Sequence, residues 1–150
     1  MSRICRFVTI IAMNKRIVCA GTFDHLHRGH MDYLKQARSL GEELIVIVAR
    51  DETVMKIKGF FPTDNENTRK RNVELTGIPE HVVLGNLDSD LFLILEELNP
   101  DVIALGYDQR VPEKEIERRF PNCRLVRLSS FHPEKYKSSF YRNNLNNPDR

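Results

Sequence analysis

The chain has 150 residues, 41% hydrophobic and 29% charged, the composition of one soluble globular domain rather than a disordered segment. Its 23 Lys and Arg nearly balance 21 Asp and Glu, which argues against a dedicated nucleic-acid-binding protein. The three cysteines, Cys5, Cys19 and Cys123, include no CxxC pair. They point to a reducing compartment, and so to a cytoplasmic protein.

No apolar run is long enough to span a bilayer, so no membrane partner is expected. Residues 1–14 read as an N-terminal extension or an extra strand. The apolar stretch Phe7 to Ala12 is too short for a convincing signal peptide. Ile17 to Ala20 is a short buried strand ended by Gly21. Gly29 to Leu40 has helical spacing, with Met31, Leu34, Ala37 and Leu40 on one side and Gly41 as a stop. Leu44 to Ala49 is a continuous apolar, β-branched run, as in a strand covered on both faces.

Asp51 is placed to cap a short helix to about Ile57, and a second helix covers about Asn65 to Leu75. His81 to Leu84 is the third strand. Asp88 or Ser89 is placed to cap an apolar helix, Leu91 to Leu98, which Asn99-Pro100 ends. Val102 to Leu105 is strand four, Pro112 leads a charged helix to about Arg119, and Leu125 to Leu128 is strand five. Lys137 to Leu145 reads as a last short helix, and residues 146–150 as a polar tail. Strands alternating with helices at this spacing imply a parallel sheet with helices on both faces.

In such a sheet, ligands bind beyond the carboxyl ends of the strands. The first of those loops, Gly21-Thr-Phe-Asp-His-Leu-His-Arg-Gly-His30, gathers three histidines. Gly21 permits a sharp turn, and Gly29 a close backbone approach at a helix start. A helix N-terminus suits phosphate, and His27 and His30, three apart, can face one point. Two imidazoles there can donate hydrogen bonds to phosphate oxygens as charge develops. Singly, the same residues also read as caps and turns, and the histidines as zinc ligands, although structural zinc usually takes cysteines as well. Neither a GxxxxGK[ST] loop nor GxGxxG is present.

Gly21 to Asp24 followed by His27-Arg-Gly-His30 resembles the GTFD and HxGH signature of the nucleotidylyltransferase superfamily. The length and element order are similar to its cytidylyltransferase-like branch. Ile45 to Asp51 ("VARD") and Ile103 to Gln109 ("LGYDQ") look like the archaeal FAD synthase group. The glycerol-3-phosphate cytidylyltransferases, which make CDP-glycerol from CTP, are the next resemblance. The resemblance implies a Rossmann-like, HUP-type α/β three-layer sandwich with a five-stranded parallel sheet, its domain spanning residues 15–145.

It further implies transfer of a nucleoside monophosphate from a triphosphate to a phosphate-bearing acceptor, with release of pyrophosphate. The implied substrates are ATP and FMN, giving FAD. Mg²⁺, or another divalent cation, would be bound through the triphosphate, with no direct protein ligand. His27 and His30 would be catalytic. Thr22, Phe23, Gly29, Lys58, Gly106, Asp108, Ser138 and Ser139 would join them around the nucleotide. Asp24, Lys56 and Tyr107 would face the acceptor, and Arg69 falls where relatives carry an arginine. Ser138-Ser139 departs from the family's ISTT pattern and lacks its upstream arginine, for which Lys137 or Arg127 is the substitute. That departure keeps a catalytically inactive nucleotide-binding module in view, because fold does not guarantee activity. A homodimer is a further expectation from relatives.

Overall fold

The computed structural model describes residues 15–87 and 90–130. The expected N-terminal extension, the last helix and the polar tail all lie outside these residues. In chain order the elements are β1 (Arg16–Gly21), α1 (Arg28–Arg38), β2 (Glu43–Val48), α2 (Asp51–Lys58) and α3 (Glu66–Leu75). They continue with β3 (His81–Leu84), α4 (Leu91–Leu98), β4 (Val102–Leu105), α5 (Glu113–Arg119) and β5 (Arg124–Arg127). The five strands form one parallel sheet in the order β3-β2-β1-β4-β5. This is the parallel sheet expected from the alternation, in the Rossmann-like arrangement that the resemblance implies.

The apolar runs are continuous because both faces of the sheet are covered, and side chains along a strand alternate between them. Ile17, Cys19, Val46, Val48 and Ala104 pack with Leu34 and Ala37 of α1 and Val73 of α3. Val18, Ile45, Ile47, Ile103 and Leu105 pack with Ile94 and Leu95 of α4 and Ile116 of α5. The chain runs outward from β1 through β2 to β3, then returns to place β4 on the other side of β1. Loops leaving β1 and β4 therefore diverge and open a crevice, the usual ligand position in such sheets.

Several local signals act differently from their sequence reading. Helix α1 stops at Arg38 with Ser39 as its C-cap, so Gly41 is not the stop. Gly41 is needed for close approach instead: a Cβ there would stand 2.2 Å from Ile17 Cδ1 and 2.6 Å from the Lys15 carbonyl. Asp51 is the first residue of α2 rather than its cap, and its backbone N–H donates to Glu66 Oε1 at 3.0 Å. Helix α4 is capped by Asp90, whose carboxylate accepts from the backbone of Phe92 at 2.9 Å and Leu93 at 3.3 Å. Asp88 and Ser89 lie outside the described residues. Three cap-competent residues in a row made the choice among them invisible locally.

The polar element that ties the sheet's upper end together is Arg69 on α3, which is completely buried. Its Nε donates to the Asp64 carbonyl at 3.0 Å, one terminal nitrogen to the Thr22 carbonyl at 2.7 Å, and the other to Asp51 Oδ1 at 2.7 Å. A buried guanidinium is tolerable only when its donors are satisfied, and here all three edges are occupied. Arg69→Met should therefore strand Asp51 and two carbonyls and destabilise the fold by about 3–5 kcal/mol, the range for breaking a buried pair. Denaturant unfolding checks this; a loss below about 1 kcal/mol would show that Arg69 does not anchor this end of the sheet.

Candidate active site

A cavity of about 930 Å³ lies beyond the carboxyl ends of the strands, centred on the loop after β1. That loop is strained: Phe23 and His25, neither of them glycine, have φ of 55° and 52°. Left-handed backbone at such residues costs about 1–3 kcal/mol each and persists only where the surroundings enforce it. The enforcement is visible. The Phe23 ring is buried against Tyr33 and His30, with ring centroids 6.0 and 5.6 Å apart. The buried carboxylate of Asp24 accepts from the backbone of Thr63 at 2.8 Å and Asp64 at 3.1 Å. Arg69 holds the Thr22 carbonyl. Gly21 is not itself at positive φ. It is glycine because a Cβ would meet the Phe23 ring at 2.9 Å, so the sharp turn belongs to Phe23 and His25.

The spacing of the two motif histidines follows from helix capping. His27 is the N-cap of α1, and its Nδ1 accepts from the Gly29 backbone N–H at 3.0 Å. His30, three residues on, returns the contact: its Nδ1 accepts from the His27 backbone N–H at 3.3 Å. This is a capping box with imidazoles in place of the usual hydroxyl and carboxylate. The rings stack at 4.0 Å with 25° between their planes. With each Nδ1 serving as an acceptor, the ring proton is assigned to Nε2 in both.

Their electrostatics reinforce the neutral form. Burial, then the neighbouring His25, lowers the His27 pKa below 6.5. Burial, then His27 and Lys58, lowers His30 to about 3, against a smaller opposing effect of Asp24. At neutral pH the pair is therefore two neutral Nε2–H donors beside the positive end of the α1 dipole, which favours an anion.

Around this pair the cavity wall includes Thr22, Phe23, Asp24, Gly29, Lys58, Gly106, Tyr107 and Asp108, so most of the expected site residues converge. Lys56 does not join them; it is exposed, and the wall takes Lys58 from the same helix turn. Ser138, Ser139 and Lys137 fall outside the described residues. Arg127 does not reach into the cavity. It donates to the carbonyls of Gly106 at 2.7 Å and Gln109 at 2.8 Å and pairs with Glu113, bracing the loop after β4 from behind. Gln109 ties that loop to β1, accepting from Gly106 N–H at 3.0 Å and donating to the Ala20 carbonyl at 3.3 Å.

The wall also contains residues that sequence reasoning missed: Arg50, Arg110, Ile57, Phe60, Leu91 and Ile94. The adjacent Phe60-Phe61 in a polar loop was the available signal. The thiol of Cys19 is buried in the core with its pKa pushed up to about 12 by desolvation, an inert packing group. Among the described residues no cluster of three or more His, Cys, Asp or Glu is arranged to hold a metal ion, and no helix is long and apolar enough to cross a membrane.

The family model for cytidylyltransferase-like proteins matches residues 18–144. A FAD synthase of Aciduliprofundum boonei is 43% identical over 77% of this chain and 79% of its own length. A FAD synthase of Thermoplasma acidophilum is 37% identical over 87% of this chain and 93% of its own. Among solved structures, one described as a lipopolysaccharide core biosynthesis protein from Thermoplasma volcanium superposes with a TM-score of 0.73. It is 36% identical, over 78% of this chain and 98% of that one. A family match over this span, with relatives so similar across most of their own lengths, makes the chain a member of the cytidylyltransferase-like family and a nucleotidyltransferase.

Proposed function

We propose that the chain transfers AMP from ATP to FMN, making FAD and pyrophosphate. The observation that carries this reading is the stacked His27–His30 pair at the N-terminus of α1, inside a cavity large enough for two substrates. The identity of those substrates rests on the similarity to FAD synthases. An FMN phosphate oxygen attacks the α-phosphorus of ATP in line. The new P–O bond forms as the bond to the β-phosphate oxygen breaks, and that electron pair leaves with pyrophosphate. The acceptor phosphate is already anionic at neutral pH, so the protein need only position and neutralise. In this reading the Nε2–H groups of His27 and His30 donate to the non-bridging α-phosphate oxygens, where charge builds in the transition state. Lys58 steadies the triphosphate as a point charge. Asp24 positions the loop and, with Tyr107, faces the acceptor; the nucleotide base lies by Gly106 and Asp108, with Ser138 and Ser139 completing the phosphate contacts. The whole of residues 15–145 serves as one domain.

A divalent cation fits this site on charge grounds. The two histidines are neutral, and by formal charge Arg50, Lys58 and Arg110 of the wall are outnumbered by Asp24, Asp32, Asp90 and Asp108, so the wall is short of positive charge for a triphosphate. A divalent cation bound through the phosphate oxygens, with no direct protein ligand, would supply that neutralisation.

Pyrophosphate release measured with ATP or CTP against FMN or glycerol 3-phosphate tests the proposal directly. Release with ATP and FMN alone, with FAD appearing in step, is the expected result. Release with CTP and glycerol 3-phosphate alone overturns the substrates. His27→Asn and His30→Gln keep a cap and an acceptor at the two positions while removing the imidazoles. Each should lower kcat at least about 10²-fold. Near-normal turnover in both would remove the pair from the chemistry.

Lys58→Ala should raise KM for ATP about tenfold or more, the scale of a lost charge-assisted contact, and an unchanged KM would take Lys58 out of the site. Acid stability gives an independent check on His30. Unfolded, its imidazole protonates near 6.5; folded, it resists until about 3. Between those values the unfolded chain binds the extra proton, so stability is present above the window and lost as pH falls through it. Thermal unfolding between pH 7 and 4 should fall more steeply for the wild type than for His30→Gln; parallel curves would contradict a buried neutral His30.

A further inference from the structure

We propose that His25 is a positioning residue for the proposed reaction: its contact with Thr63 fixes the stiff segment that sets the reach of Lys58. The inference rests on the triphosphate role given to Lys58 and deepens it. Three histidines fall in the loop after β1, and the HxGH signature uses only His27 and His30. His25 lies in left-handed backbone at φ 52°, where a glycine would carry no strain. A larger residue stays in that conformation only where its surroundings hold it. Its imidazole Nε2 lies 3.0 Å from Thr63 Oγ1, across 38 residues of sequence, and 3.7 Å from Asp24 Oδ2.

Thr63 is thus gripped at two atoms by two consecutive loop residues. Asp24 accepts from its backbone N–H at 2.8 Å, and His25 holds its hydroxyl. The next residue, Asp64, is fixed as well: its N–H donates to Asp24 Oδ1 at 3.1 Å, and its carbonyl accepts from Arg69. A single backbone bond would let Thr63 turn about it. The second bond, at the side chain, sets the direction in which the chain leaves. Stiff residues carry that direction onward. Pro62 has a fixed φ, and Phe61, ahead of a proline, is restricted to extended backbone. Beyond them Gly59, at φ 83°, closes α2 directly after Lys58.

Helix α2 is the element that needs such guidance. It buries only Val54, and its last turn, Lys56 to Lys58, is exposed. An eight-residue helix with so little packed surface draws its placement from its ends. Its start is held through Asp51 by Glu66 and Arg69. Its finish is held through the 59–64 segment that Thr63 anchors. Lys58 lines the cavity and acts electrostatically on His30, so a shift of this turn is felt in triphosphate affinity and leaves the histidine pair in place.

Steady-state kinetics with ATP and FMN, with thermal unfolding as the check on folding, test the inference. His25→Asn keeps a residue that accepts left-handed backbone, but its shorter amide stops short of Thr63. Thr63→Val keeps the shape and removes the hydroxyl. Each should raise KM for ATP about threefold, the scale of one hydrogen bond, with kcat and KM for FMN near wild type. The double variant should cost no more than either single one, because both remove the same contact. Thr63→Ser, which keeps the hydroxyl, should restore the wild-type KM. In a Lys58→Ala background neither substitution should raise KM for ATP further. Should His25→Asn fail to fold, Thr63→Val and its serine control decide the question. If Lys58→Ala raises KM for ATP while His25→Asn and Thr63→Val leave it unchanged, only this inference falls. A rise that persists without Lys58 shows that His25 acts on another group and overturns it, as does a fall in kcat at unchanged KM. If Lys58→Ala itself leaves KM for ATP unchanged, or the wild type gives no turnover with ATP and FMN, the proposed reading fails and this coupling fails with it.

Discussion

Arg69 and Asp24 are opposite charges buried under the same loop, and each holds it from a different side. Arg69 reaches up to the Thr22 carbonyl, and Asp24 reaches down to the backbone of Thr63 and Asp64. Between those anchors lie Phe23 and Asp24, and just beyond them His25, with two of the three residues in left-handed backbone. The strain of about 1–3 kcal/mol per residue would relax the loop if either anchor were lost. The anchors are therefore what keep His27 at the mouth of α1 rather than somewhere in a mobile turn. Because Arg69 also holds Asp51, the same guanidinium sets where α2 starts, and with it the reach of Lys58.

The histidine pair shows fold and chemistry using the same hydrogen bonds. A helix start leaves backbone N–H groups without partners. Here two of them are satisfied by imidazole Nδ1 atoms, which fixes both tautomers and stacks the rings. The result is a pair of preorganised Nε2–H donors, which in the proposed reaction would need no reorientation as charge moves onto phosphorus-bound oxygens. Gly29 stands at the second helical position, and its backbone N–H donates to the His27 ring nitrogen.

What was legible in the sequence was local or periodic. Continuous β-branched runs located the strands, and the HxGH spacing located the site, because capping is a contact between residues three apart. What escaped was non-local. Arg69 meets its partners Asp64, Asp51 and Thr22 at separations of 5, 18 and 47 residues. The resemblance marked its position, but no pattern in a short window shows that it is a buried anchor rather than a solvated helix arginine. Asp51 and Gly41 misled for the opposite reason. Each sits where a local rule places a cap or a stop, yet an ion pair in one case and a close backbone approach in the other decides its identity.

The position of the candidate site bears on how it would divide its tasks. The histidines, the α1 N-terminus and Lys58 meet at the end of the central strand. In the proposed reaction these elements would contact phosphate and nothing beyond it. Discrimination between nucleotides and between acceptors must then come from the flanks. On the β4 side, Arg127 and Gln109 stiffen the loop through its backbone carbonyls and amide. On the other side, α2 and the residue after its C-cap contribute Thr53, Ile57, Lys58 and Phe60. Exposed side chains at the end of α2 can therefore be exchanged without touching Arg69, Asp24 or the capping box, because the buried clamp and the open rim are held by different contacts.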